Sequence, residues 1–325
     1  MITSLTKTNC LRPQMLPVLL VLLLMAPGIA RAEAPNVVVS LKSLHSLVSA
    51  IMSGVGTPLL LLDRPVSPHA ARLRPSQARA IARADLVVWI GGPMETFMRP
   101  SMANRKQPDS AVTVLNLPGL QKHAARAGGI WPERHQDKDH GHDHDHDHEL
   151  KPGAADPHVW LSTINAAVIA DGVMSILVRI DPPRAATYKA NHKALLTRLD
   201  NLTMDLKKLL GPVAKNRYVA LHDAFQYFEE QFGLSPLGAL SPTAGTSPGA
   251  RRLSNLRAQM SRQNVRCIAS DPFAASAYIE TLQEGTEARV VALHPDGMNL
   301  TPGPDQYAAM MRQNATALAS CLAVR

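Results

Sequence analysis

Asp156-Pro157-His158-Val159-Trp160-Leu161-Ser162 stands near the midpoint of this 325-residue chain and separates two stretches built on one pattern. Ser162 can cap a helix. Beyond it Ile164, Ala167, Val168, Val173, Ile176, Leu177 and Ile180 recur at helical spacing until Asp181-Pro182-Pro183 stops them. Before the motif, β-branched or leucine-rich runs at 37–41, 59–62, 86–90 and 111–115 read as buried strands. Helical patterns fall between them at 44–52, at 75–84 and near Met94. After it comes a second long amphipathic helix, 184–210, and the alternation then resumes. Strands are expected at 218–221, 267–270 and 290–293, and helices at 224–232, 253–263, 275–284 and 306–322. Residues 235–249, rich in Ser, Pro and Gly, are expected as a loop. Such alternation is that of parallel sheets covered on both faces, so the chain reads as two α/β halves.

The length suffices for two domains that each bury a core. The formal charge of +8 falls to +5 once Lys7, Arg12 and Arg31 are discounted, too little and too scattered to suggest nucleic acid. Those three cations belong to a segment laid out as a secretory signal peptide. It has a basic start, an apolar run at 16–25 shorter than the roughly 20 residues of a membrane span, and Ala30-Arg31-Ala32 as the cleavage signature. Cleavage after Ala32 removes Cys10 and leaves Cys267 and Cys321, an even pair in an exported, oxidising setting, read as one disulfide.

The histidines carry the chemistry. His140, His142, His144, His146 and His148 alternate with acidic residues and have no apolar side chain to bury, so this tract is a loose collector of cations on a long surface loop. Apart from His135, which precedes this tract on the same loop, seven histidines lie elsewhere. His69, His222 and His294 each follow the end of an expected strand, and His158 precedes the middle helix. Loops at strand C-termini line the ligand crevice of open parallel sheets. Two facing sheets would therefore aim these four imidazoles at one cleft, a nitrogen set that favours zinc. His45, His123 and His192 are read as surface residues, with His45 the first exception to consider.

The chain resembles the solute-binding component of bacterial high-affinity zinc ABC importers, the ZnuA type within the metal-binding cluster of solute-binding proteins. The resemblance runs through His69 with Leu73-Arg74-Pro75-Ser76, Trp89-Ile90-Gly91 to Met94-Glu95, the histidine-rich loop, the 156–162 motif, and His222-Asp223-Ala224-Phe225-Gln226-Tyr227-Phe228, on to Cys267 and Cys321. It implies an N-terminal lobe at 33–161 that includes the histidine-rich loop 133–149, one linker helix at 162–181 and a C-terminal lobe at 182–325, behind a signal peptide at 1–32. It implies zinc held by His69, His158 and His222, with His294 where relatives carry an aspartate as the less secure fourth ligand, and water or a histidine of the loop as the alternatives. It further implies a periplasmic monomer that delivers its ion to an inner-membrane zinc ABC permease, with a periplasmic zinc metallochaperone as a further partner. No catalytic residue and no cofactor beyond Zn2+ is implied.

Two other functions compete. A manganese or iron receptor of the same fold is opposed by the lack of carboxylates at the motif positions, because hard ions prefer oxygen. A zinc hydrolase would need a general base, for which Asp223 and Glu95 are the candidates; Asp223 is read instead as a cap for the helix that follows. Imidazole binds metal in its neutral form, so affinity falls as pH drops through the histidine range near about 6.5. Deleting 141–149 is expected to leave tight stoichiometric zinc binding intact and to remove weaker extra equivalents. Calorimetric titration checks this, and loss of the tight event would refute the division of labour.

Overall fold

In the computed structural model the described residues are 1, 3, 33–105, 107, 110–126, 131, 153–242 and 248–323. The expected signal peptide, apart from residues 1 and 3, and the histidine-rich tract lie outside them. The described residues from Ala34 onward belong to one compact unit. The first sheet is built from β1 (Val37–Val39), β2 (Leu59–Leu60), β3 (Leu86–Trp89) and β4 (Ala111–Thr113), with α1 (Lys42–Ile51), α2 (Pro75–Arg83) and α3 (Arg99–Ala103) as its connections. Two consecutive helices follow, α4 (Thr163–Ile180) and α5 (Ala185–Leu210). The second sheet comprises β5 (Arg217–His222), β6 (Ser235–Ser241), β7 (Cys267–Ser270) and β8 (Arg289–Ala292), connected by α6 (Gln226–Phe232), α7 (Ala250–Arg262) and α8 (Ser276–Gln283). Helix α9 (Gln306–Leu322) ends the chain. All strand pairs within both sheets are parallel. The orders β2-β1-β3-β4 and β6-β5-β7-β8 are the same topology used twice.

The loop expected at 235–249 is overturned in its first part. Residues 235–241 form a strand, not a loop. Proline and glycine mask it in the sequence, but β6 is an edge strand, where a missing N–H is tolerated. The pairing shifts register at Tyr218/Val219, opposite Pro236 and Gly238, which absorbs the misfit.

Helix α4 starts as expected. Ser162 Oγ accepts from the Asn165 N–H at 3.3 Å, satisfying one donor of the first turn. Its length and hydropathy would also suit a membrane span. However, Ala166, Ile169, Ala170, Val173 and Leu177 form a buried stripe that packs into the core. Gly172 lets the turn at Leu117 approach, since a Cβ there would sit 2.7 Å from the Leu117 side chain.

A single apolar cluster runs from Val37 and Leu44 through Trp160 and Tyr188 to Tyr307 and Leu318, so both sheets share it. Buried polar ties cross the same boundary. Lys42 Nζ donates to the carbonyls of Met298 (2.6 Å) and Leu300 (3.2 Å). Ser46 Oγ accepts from the Tyr307 N–H at 2.9 Å, Trp160 Nε1 donates to Pro295 O at 2.7 Å, and Tyr307 OH donates to Trp160 O at 2.8 Å. The expected disulfide is present. Cys267 on β7 and Cys321 on α9 are joined with Cα atoms 5.6 Å apart, across 54 residues of sequence. Closing a loop of that size is worth about 2–4 kcal/mol. Reduction, or Cys321→Ser, should therefore lower the thermal midpoint by several degrees, read by calorimetry with and without reductant.

Candidate metal centre

The site forms where strand C-terminal ends of the two sheets meet. His222 is the last residue of β5, His69 lies in the turn after β2, and His158 leads the short turn Val159–Leu161 before α4. One potential ligand atom from each lies within 4.8 Å of the other two. The ring centroids are 5.4 Å apart for His69 and His158, 5.7 Å for His69 and His222, and 5.1 Å for His158 and His222. His69 Nε2 and His158 Nε2 stand 3.4 Å apart. A tetrahedral zinc with Zn–N of about 2.0–2.1 Å needs nitrogen pairs about 3.3–3.4 Å apart, so this edge fits the ion.

The electrostatics fit as well. His222 is buried and neither ring nitrogen has a hydrogen-bond partner among the described residues. Desolvation, reinforced by His158 and His69, holds its pKa well below the usual histidine value, so the imidazole stays neutral with a lone pair exposed to the cavity. Asp156 Oδ1 faces His158 Nδ1 at 2.7 Å and also accepts the His158 backbone N–H at 3.0 Å. That contact assigns the proton to Nδ1 and turns the Nε2 lone pair toward the centre, the arrangement in which a carboxylate orients a metal-binding imidazole. The enclosed space is about 20 Å³, room for little more than one ion or water. Met94, Trp160, Phe273, Asp271, Asp296 and Met298 are among the other residues of its wall. A larger groove of about 650 Å³ lies along α4, α5 and α6, but none of the three histidines lines it.

The fourth expected residue is placed differently. His294 is neither part of the three-histidine group nor a wall of the cavity. Its backbone is gripped on both sides by Asn314 of α9, which accepts its N–H at 2.8 Å and donates to its carbonyl at 2.9 Å. The chain beyond it brings Pro295 and Asp296 to the cavity instead. Burial raises the Asp296 pKa, and its carboxylate accepts the Met298 N–H at 3.1 Å.

Asp223 does not cap the next helix. It forms an ion pair with Arg126, whose guanidinium also holds Glu229 at 2.6 Å; both carboxylates are almost fully buried. Arg126 further lies 3.8 Å over the Trp131 ring. Glu95 is buried too, accepting the Ile90 and Gly91 N–H groups at 3.2 and 2.8 Å. Burial pushes its pKa up to about 7 against those hydrogen bonds. Neither carboxylate lines the cavity, so neither serves as a base there.

Of the remaining histidines, His45 is a core residue facing Pro58 O at 3.0 Å and His192 meets Asp171 at 2.6 Å. The His123 ring lies 4.8 Å from that of Tyr227. Sequence reasoning did not assign Asp156 a role, although its position two residues before His158 is the spacing at which an aspartate turns back on the following backbone.

Two parallel-sheet lobes with imidazoles converging where their strand ends meet define a metal-binding solute-binding protein. The chain belongs to the ZnuA family, whose model, described as the periplasmic component A of a zinc-uptake complex, matches residues 37–321. The high-affinity zinc uptake system protein ZnuA of Brucella abortus (strain 2308) is 35% identical over 309 residues, covering 89% of this chain and 92% of that protein. Solved structures share the fold. FpvC of Pseudomonas aeruginosa, in complex with Mn2+, aligns with a TM-score of 0.73 at 21% identity, covering 89% of this chain and 98% of its own. The periplasmic zinc-binding protein TroA of Treponema pallidum gives 0.73 at 19%, covering 90% and 100%. The family is one of receptors, not enzymes.

If Asp156 orients His158, Asp156→Asn should weaken zinc binding by about 10- to 100-fold without unfolding the protein. Competition titration against a zinc chelator, with circular dichroism as the control, checks this.

Proposed function

We propose that this protein is the zinc receptor of an ABC importer, taking Zn2+ as cargo on His69, His158 and His222 and passing it to an inner-membrane permease. The observation that carries the reading is the trio of imidazole nitrogens gathered within 4.8 Å, with one edge at zinc spacing and one carboxylate behind His158. The family description and the Brucella relative's name supply the transport context. The periplasm is the compartment of action, supported by that description and by the signal-peptide layout of residues 1–32.

For the fourth position we place Asp296 ahead of His294, because it lies on the cavity wall and an ionised carboxylate there gains a cation to pair with. The lobes are taken as 33–161 and 182–325, with 162–181 as the linker helix. An imidazole-dominated set favours zinc over manganese, which seeks harder oxygen donors. The fold alone does not make that choice, since the FpvC structure of the same fold holds Mn2+.

Protein purified in the presence of both ions should carry one zinc per chain and negligible manganese by elemental analysis. His69→Ala, His158→Ala or His222→Ala should each abolish the tight event. Protons and zinc compete for the same lone pairs, so affinity must fall with decreasing pH. Because the His222 pKa lies well below the usual value, the loss should be gradual through mildly acidic solution. Equal uptake of manganese, or tight zinc retained in all three variants, would overturn the assignment.

A further inference from the structure

The segment 294–300, between β8 and α9, has no regular structure, yet five consecutive carbonyls along it each accept a side-chain donor from elsewhere in the chain. Asn314 Nδ2 donates to His294 O at 2.9 Å and Trp160 Nε1 to Pro295 O at 2.7 Å. Gln306 Nε2 donates to Asp296 O at 3.0 Å and to Gly297 O at 3.2 Å. Lys42 Nζ takes Met298 O at 2.6 Å and reaches Leu300 O at 3.2 Å. Asp296, Gly297 and Met298 are buried, so their carbonyls need protein donors. Those donors come from α1, from the 156–162 motif and from α9. The fit depends on one glycine: Gly297 has φ +64°, and a Cβ there would collide with the Gln306 amide.

What these bonds hold is one wall of the metal cavity, since Pro295, Asp296 and Met298 all line it. Trp160 lies two residues beyond His158 and lines the same cavity, its ring 5.4 Å from the His158 imidazole. His158 is thereby linked to Asp296 through Val159, Trp160, one hydrogen bond and Pro295. A ligand and a wall carboxylate drawn from opposite halves of the chain are thus set relative to each other by a very short path. Asp296 Oδ1 already accepts the Met298 N–H at 3.1 Å, which disposes the carboxylate to meet an ion through one oxygen. Three imidazoles and one oxygen at a fixed place make four ligands, the number zinc takes. Manganese seeks an octahedral set rich in oxygen, and to complete it this wall would have to yield.

We infer that Trp160, Gln306 and Lys42 are positioning residues that fix Asp296 relative to His158, and so set the preference of the site for a four-coordinate ion over manganese. The inference rests on the zinc-receptor reading with Asp296 in the fourth position, and adds what makes that position selective. Removing a group that orients a ligand weakens a metal site through geometry, even though the group never touches the ion.

The test removes one donor at a time with variants that keep most of the packing: Trp160→Phe, Gln306→Met and Lys42→Met. Each is made alone and combined with Asp296→Asn. Tyr188→Phe, which removes a buried hydrogen bond to Asp181 away from the cavity wall, is the control. Zinc and manganese affinities are measured by chelator competition. The visible spectrum of the cobalt(II)-loaded protein reports coordination number, and the thermal midpoint of the metal-free protein reports stability. Each positioning variant should weaken zinc by about tenfold while leaving manganese within about twofold, so the selectivity ratio falls. The strong cobalt absorption of a four-coordinate site should give way to the weaker bands of higher coordination. Beside Asp296→Asn the same substitutions should cost zinc less than about twofold more, because the group they position has already been lost. Tyr188→Phe should lower the midpoint and leave the ratio and the spectrum as in the wild type. The inference is overturned if the three variants behave as Tyr188→Phe does, losing stability alone, or if their zinc losses persist in full beside Asp296→Asn. Wild-type zinc affinity and cobalt spectrum in Asp296→Asn itself would strike the placement of Asp296 in the fourth position, and the inference with it. Failure of the positioning variants alone leaves that placement standing, so the two failures are distinguishable.

Discussion

Three imidazoles from distant parts of the chain must be held at metal spacing in the absence of the metal, and several buried polar contacts serve that requirement. The His69 and His158 rings meet only through one long 3.4 Å nitrogen contact, and His222 has no hydrogen bond among the described residues to hold its ring. Their positions are therefore imposed from outside. β5 delivers His222, the turn before α4 delivers His158 with Asp156 behind it, and the turn after β2 delivers His69. The distances among them are only as constant as the relation between the two sheets. A common apolar core and the hydrogen bonds of Lys42, Ser46, Trp160 and Tyr307 maintain that relation.

The same boundary contains an ionic knot. Arg126, next to the segment that carries the histidine-rich tract, holds Asp223 and Glu229 of the second lobe, and Tyr218 OH donates to Glu229. Removing one member of such a buried group typically costs about 3–5 kcal/mol, because a charge is left unpaired. Burial pushes both carboxylates toward protonation, and Arg126 opposes that push. Asp223 adjoins His222, so the knot sits directly behind the strand end that presents a site imidazole. Tyr227 adds a tie from the same helix, donating to Asp156 O at 2.7 Å and accepting the His123 N–H at 3.1 Å. Both flanks of the histidine-rich tract are thus fastened to the element that follows His222.

What could be read from sequence depended on the range of the interactions involved. His69, His158 and His222 were legible because each adjoins an element whose periodicity is local, and strand ends in a parallel sheet face the crevice. His294 met the same criterion and is placed elsewhere, since the grip of Asn314 on its backbone comes from α9, which the local pattern does not encode. Asp223 shows the same limit. A helix cap was the local reading, but Arg126 lies 97 residues away and takes the side chain. Strand β6 was hidden because Pro236 and Gly238 signal a loop wherever both strand edges must be paired, and only the sheet order reveals that one edge is free. His45 was hidden because a polar side chain on an apolar helix face looks exposed until its acceptor, Pro58 O, is known.

The Lys42 tie has a thermodynamic corollary. An ammonium group sunk between two carbonyls of the opposite lobe behaves as a rivet, because separating the lobes would strip it of both acceptors at once. In this conformation the three imidazoles already stand together, so the part of the cage they form is present before the ion arrives. The corresponding cost falls at discharge, because any release that parts the lobes at this point must first break both of those hydrogen bonds.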